Sequence, residues 1–127
     1  MKALVIGGSG LFGKKTCSAL LADPDFDGVV AFDVVPPADY WLKSIEPYGD
    51  KYKFVRGDIS DLEQIMAACV ENGCDRIMNW AMILSKDANP RGNTKIGLLG
   101  MCNVFEAARL LGIKRVVYAS SETVYGE

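Results

Sequence analysis

The chain has 127 residues, half of them hydrophobic and 24% charged, with 14 Lys and Arg against 16 Asp and Glu and a formal net charge of −2. That balance fits one ordinary globular domain, or part of one, and offers no basic footprint for nucleic acid or an anionic membrane. No apolar run approaches the roughly 18 residues of a membrane span, the run from Met1 to Gly7 is too short for a secretory signal, and the absence of histidine excludes an imidazole base within these residues.

A cytoplasmic location is the default expectation. Cys17, Cys69, Cys74 and Cys102 contain no Cys-x-x-Cys pair, so no metal site is expected. They read as buried free thiols, which pack as small hydrophobes.

In chain order, Ala3-Leu4-Val5-Ile6 predicts a first buried strand. Gly13, Cys17, Leu20 and Leu21 then repeat on one helical face, and Asp23-Pro24 ends that helix. Val29 to Phe32 predicts a second strand. Residues 36–50 hold prolines and aromatics without a clear period and read as a loop with a short helix. Tyr52 to Val55 predicts a third strand. Ser60-Asp61-Leu62-Glu63 has the form of a capping box, with Ser60 at the cap and Glu63 reaching back. Leu62, Ile65, Met66 and Cys69 continue as a helical stripe up to Gly73. A fourth strand is expected from Arg76 to Trp80. Gly100, Val104, Ala107, Ala108 and Leu111 mark a long helix stopped by Gly112, and Arg115 to Ala119 a fifth strand. Apolar strands joined by helical crossovers predict an α/β fold, with a parallel sheet covered on both faces.

The most informative stretch is Gly7-Gly8-Ser9-Gly10-Leu11-Phe12-Gly13, directly after the first strand and opening the first helix. Gly7 suits a tight turn, Gly10 leaves the backbone open to a pyrophosphate, and Gly13 lets the helix pack closely. The helix N-terminus offers free N–H groups and partial positive charge to phosphates. Twenty residues past Gly13, Asp33 ends the second strand. A carboxylate there accepts hydrogen bonds from adenosine ribose hydroxyls and repels a 2′-phosphate, which points to NAD rather than NADP.

These motifs, with Arg56-Gly57-Asp58-Ile59-Ser60-Asp61, Asn79-Trp80-Ala81, and the two stretches Gly100 to Arg109 and Lys114 to Gly126, resemble the N-terminal half of an extended short-chain dehydrogenase/reductase. That is the group of NAD-dependent epimerases and dehydratases, many acting on nucleotide sugars. The resemblance implies a Rossmann-type doubly wound parallel sheet, five strands in the order 3-2-1-4-5, incomplete relative to the family. It implies a cofactor site built from Gly7, Gly10, Leu11, Phe12, Gly13, Asp33, Asp58, Ile59, Trp80 and Ala81. Asp58 and Ile59 would contact adenine, Asp58 alternatively capping the next turn, and Trp80 would lie against the cofactor or serve only as core. Ser121, or else Ser120, would hydrogen-bond the reacting substrate oxygen, unless both are plain turn residues.

Two departures stand out. Gly97 occupies a position where the family usually has Asn. The family's acid/base is a Tyr with Lys four residues on, and no Tyr here has that partner. That pair is expected on a later helix, so residues 1–127 read as the cofactor half, a fragment or a natural truncation, inactive alone. The alternative is a non-catalytic dinucleotide-binding module or NAD sensor. The expected partners are NAD(H) and, in a complete protein, a small nucleotide-sugar substrate. The mostly apolar fifth strand at a sheet edge also predicts a homo-oligomer.

Overall fold

The computed structural model describes residues 1–83 and 89–121. Strands β1 (Lys2–Ile6), β2 (Gly28–Asp33), β3 (Tyr52–Arg56), β4 (Arg76–Asn79) and β5 (Arg115–Tyr118) form one sheet in the order β3-β2-β1-β4-β5. Every pairing is parallel, as the alternation of strands and helices predicts. Ile6 stands opposite both Phe32 and Asn79, Asp33 opposite Arg56, and Asn79 opposite Tyr118. The register therefore delivers the segments after all five strands to one edge.

The central strands are apolar on both sides because helices cover both sides. Leu4, Ile6, Val30 and Phe32 pack with Ile65, Ala68 and Cys69 of α3 (Leu62–Asn72) and with Val104 and Ala107 of α5 (Gly100–Leu111). Ala3, Val5, Val29 and Ala31 face the other way, onto Cys17, Leu20 and Leu21 of α1 (Leu11–Ala22) and Trp41 and Ile45 of α2 (Asp39–Ile45). Helix α1 buries Gly13, Cys17, Leu20 and Leu21, the face that the sequence period selects. Gly73 and Gly112 end α3 and α5 in the left-handed conformation, φ 65° and 64°, where glycine meets no Cβ penalty.

Three expectations change, and the loop with a short helix expected over 36–50 gains detail. The cap of α3 is Asp61 rather than Ser60, and its side chain accepts from the Gln64 N–H at 3.2 Å and from Gln64 Nε2 at 2.9 Å. The cap is shifted by one residue, with Asp58 engaging Ser60, and it is not a reciprocal box: Gln64 donates both bonds, and the Asp61 N–H donates to Asp58 O. The irregular stretch resolves into α2 followed by a 3-10 segment, Glu46–Lys51. The long helix starts earlier, with α4 (Pro90–Asn93) running through a π-helical turn (Thr94–Leu99) into α5. Asn89 caps it by accepting from the Gly92 N–H at 2.8 Å, with Pro90 in the first turn. Gly92, Gly97 and Gly100 lower helix propensity and conceal this start from the sequence. Finally, Cys17, Cys69 and Cys74 are buried but Cys102 is exposed. Among the described residues, no helix is long and apolar enough to cross a membrane.

Candidate functional site

The glycine turn is held over the end of β2. Gly7 has φ +73°, and the Gly7 and Gly8 N–H groups both donate to Phe32 O, at 2.9 and 3.3 Å. A Cβ on Gly13 would penetrate Gly7 O and lie 2.6 Å from Gly8 Cα, so only glycine lets α1 approach the turn this closely. A Cβ on Gly10 would meet only Gly7 O, at 3.3 Å, and otherwise points into open space. No side chain caps α1 and its first turn holds no acidic residue, leaving the dipole's positive end to a ligand. The Asp33 carboxylate accepts from the Ser9 N–H at 3.0 Å, and the Ser9 hydroxyl donates to Val35 O at 2.7 Å. These bonds fasten the turn to the segment after β2 and orient Asp33.

The opposite wall comes from the segment after β3. Asp58 Oδ1 accepts from the N–H and the hydroxyl of Ser60, at 2.9 and 2.8 Å, and Oδ2 accepts from Lys95 Nζ at 3.0 Å. Burial pushes the Asp58 pKa up, but the bonds from Ser60 and Lys95 outweigh it and leave the carboxyl below its ordinary value. Asp58 thus caps the turn, and it also faces the cleft. A Cβ on Gly57 would run into the buried Phe32 ring. Between these walls, Trp80 stacks on Phe12, ring centroids 6.1 Å apart, and the Ala81 N–H donates to the side chain of buried Asn79 at 3.0 Å.

Together these segments enclose a cleft of about 460 Å³ at the carboxyl edge of the sheet. Gly7, Gly10, Leu11, Phe12, Gly13, Asp33, Asp58, Ile59, Trp80 and Ala81 all line it. Gly57, Phe32 and Ile96 line it too and were not singled out by sequence. Gly57 lies inside a motif quoted above, but nothing local brings Ile96 of the π-helical turn to the cleft. Among the described residues, the charged side chains of the lining are Asp33 and Asp58, both acceptors, set in a largely apolar wall. A second hollow of about 240 Å³ shares Ala81, Met82 and Ile83 with the cleft and is closed by Asn79, Asn93, Gly97, Met101 and Ala119. Ser120 and Ser121 are exposed after β5, beside Ala119, and line neither cavity. Glu122 to Gly126, the rest of that sequence signature, lie outside the described residues.

A family profile described as the NAD dependent epimerase/dehydratase family matches residues 3–127. The chain belongs to that family. Among relatives of this epimerase/dehydratase chain, a trifunctional UDP-glucose 4,6-dehydratase/UDP-4-keto-6-deoxy-D-glucose 3,5-epimerase/UDP-4-keto-L-rhamnose-reductase of Arabidopsis thaliana is 31% identical over 98% of it and 19% of the relative. A UDP-glucose 4-epimerase of Mycolicibacterium smegmatis is 30% identical over 99% of the chain and 41% of the relative. The chain thus spans well under half of these two proteins. The solved structure of Thermus thermophilus UDP-glucose 4-epimerase, in complex with NAD, is 27% identical and superposes with a TM-score of 0.76 over 95% of the chain and 38% of that structure. The five-stranded order is therefore the epimerase/dehydratase Rossmann sheet, and the cleft lies where ligands bind in such sheets, beyond the carboxyl ends of the strands.

Proposed function

We propose that the cleft binds NAD(H) and that, in the whole protein, it serves an epimerase or dehydratase acting on a nucleotide sugar, an oxidoreductase chemistry at heart. One observation carries the reading: the ten residues that the sequence singles out for a dinucleotide, scattered from Gly7 to Ala81, line a single cleft. The open rim at Gly10 and the uncapped α1 terminus suit a pyrophosphate. Asp33 suits the ribose hydroxyls, and Asp58 with Ile59 suits adenine, whose amino group is a donor. The bound cofactor would take a hydride from the substrate carbinol and return it or pass it on. Ser121 or Ser120, beside the second hollow, would hydrogen-bond the reacting oxygen. The closest direct test is titration with NADH and NADPH, read by energy transfer from Trp80 in the cleft wall. Tighter NADH binding is expected; equal or tighter NADPH binding would overturn the Asp33 assignment.

A non-catalytic NAD-binding module is the second reading, favoured by Ser120 and Ser121 lining neither cavity. Reduction of NAD by nucleotide sugars above a protein-free blank would rule it out.

A further inference from the structure

Three links join the segment after β3 to the helix that runs from Thr94 into α5. Asn103 Nδ2 donates to Ile59 O at 3.1 Å. A Cβ on Gly100 would lie 3.0 Å from the Ile59 side chain, so the helix backbone rests on it. The third link is the Lys95–Asp58 ion pair at 3.0 Å, with the two side chains 52% and 34% exposed. The first two are part of the packed interior. The third stands at the rim, where its two neighbours in sequence, Ile96 and Ile59, both line the cleft. It is also the link made by the π-helical turn, a local widening that is often found at functional sites.

We propose that Lys95 is a positioning residue for the adenine end of the cofactor, a role resting on the NAD reading above. Lys95 acts through Asp58 and not by touching the ligand. Oδ1 is filled by the two Ser60 donors. Lys95 occupies one site on Oδ2 and fixes the carboxylate plane. A carboxylate offers about four lone-pair sites in all, so among the described residues one site on Oδ2 stays open, aimed by the ion pair, for the adenine amino group. The same pair ties Ile96, next to Lys95, and Ile59, next to Asp58, together in the cleft lining. Because the pair is half exposed, it is weak enough to open and admit the cofactor, and salt screens it.

The test compares wild type, Lys95→Met, Lys95→Arg and Lys95→Glu for binding of NADH, ADP and nicotinamide mononucleotide by calorimetry, at low and high salt. Lys95→Met should weaken NADH and ADP by up to about fivefold, the scale of one exposed ion pair, and leave nicotinamide mononucleotide unchanged. Lys95→Arg should restore binding, and Lys95→Glu, which repels Asp58, should weaken ADP more than Lys95→Met. At about 1 M salt, where the Debye length is ~3 Å, wild type should fall to the Lys95→Met level. Equal ADP binding by wild type and Lys95→Met overturns the proposal while leaving the NAD reading intact. Equal losses for ADP and nicotinamide mononucleotide also overturn it, since they signal general attraction of anions. Failure of wild type to bind NADH or ADP overturns the NAD reading and this inference together.

Discussion

Replacing Gly13 with alanine separates the glycine that builds the turn from the glycine that admits a ligand. The added methyl would sit inside contact distance of Gly7 O, 2.6 Å from Gly8 Cα and 2.8 Å from Gly7 C. All three are backbone atoms of a turn pinned to Phe32 O, so no side chain can swing aside. Overpacking of this kind costs about 1–3 kcal/mol, and the better helix propensity of alanine offsets at most ~1 kcal/mol. With the obstruction entirely backbone, a net loss of about 2–3 kcal/mol is expected. For a domain of this length ~1 kcal/mol moves the melting temperature by roughly 4 °C, so the variant should melt about 10 °C lower. Gly10→Val is the contrast. Gly10 has φ −72° and ψ 177°, open to any residue, and its Cβ would touch only Gly7 O at 3.3 Å. That variant should lose under ~1 kcal/mol, the scale of a cap substitution, yet lose NADH binding because its branched side chain fills the path of the pyrophosphate. Circular-dichroism melts and NADH titration of both variants decide it. Gly13→Ala melting within about 2 °C of wild type would refute the packing argument, and normal NADH binding by Gly10→Val would refute the ligand path.

Asp33→Arg should weaken NADH and relax the preference over NADPH, because a cation replaces the acceptor of the ribose hydroxyls; an unchanged NADH/NADPH ratio sinks this assignment. Native protein should expose one fast-reacting thiol to Ellman's reagent, Cys102, since burial pushes Cys17 and Cys69 up to about 12 and Cys74 to about 11; two or more fast thiols, or a fast count unchanged in Cys102→Ser, would contradict the burial. The Asp58 carboxyl lies below its ordinary value when folded, so its stabilisation is complete above the unfolded carboxylate range near about pH 4 and is lost as pH falls through the folded value. Urea melts at pH 6 and pH 3 should show wild type losing more than Asp58→Asn, and equal losses would count against it. Among the described residues β5 ends the sheet, so the 127-residue chain should self-associate through that edge; a monodisperse monomer by size exclusion contradicts it.

The segments that sequence located correctly are those whose signal is local. Four apolar residues from Ala3 to Ile6 must be covered on two sides, and a period of Cys17, Leu20 and Leu21 must face inward, so β1 and α1 follow from hydrophobic pattern alone. Gly73 and Gly112 stop helices because a left-handed residue disfavours a Cβ wherever it occurs. The start of the helix at Pro90 is not legible locally, because its three glycines lower propensity and its packing partner Ile59 lies 41 to 44 residues away in sequence. Ser60 and Glu63 stand at the spacing of a capping box, but Ser60 gives both its N–H and its hydroxyl to the Asp58 carboxylate, a charged acceptor that spacing does not reveal.

The sequence by itself determined the spacing of the glycine turn, the acid at the end of β2 and the alternation that makes a parallel sheet. Each depends on the conformation of a few adjacent residues. Tertiary structure alone decided that Ile96 lines the cleft, that Phe12 stacks on Trp80, and that Lys95 closes on Asp58, 37 residues away. Such contacts depend on the register in which separate elements pack, and one extra residue in a helical turn, such as a π turn supplies, rotates every following side chain to a new face.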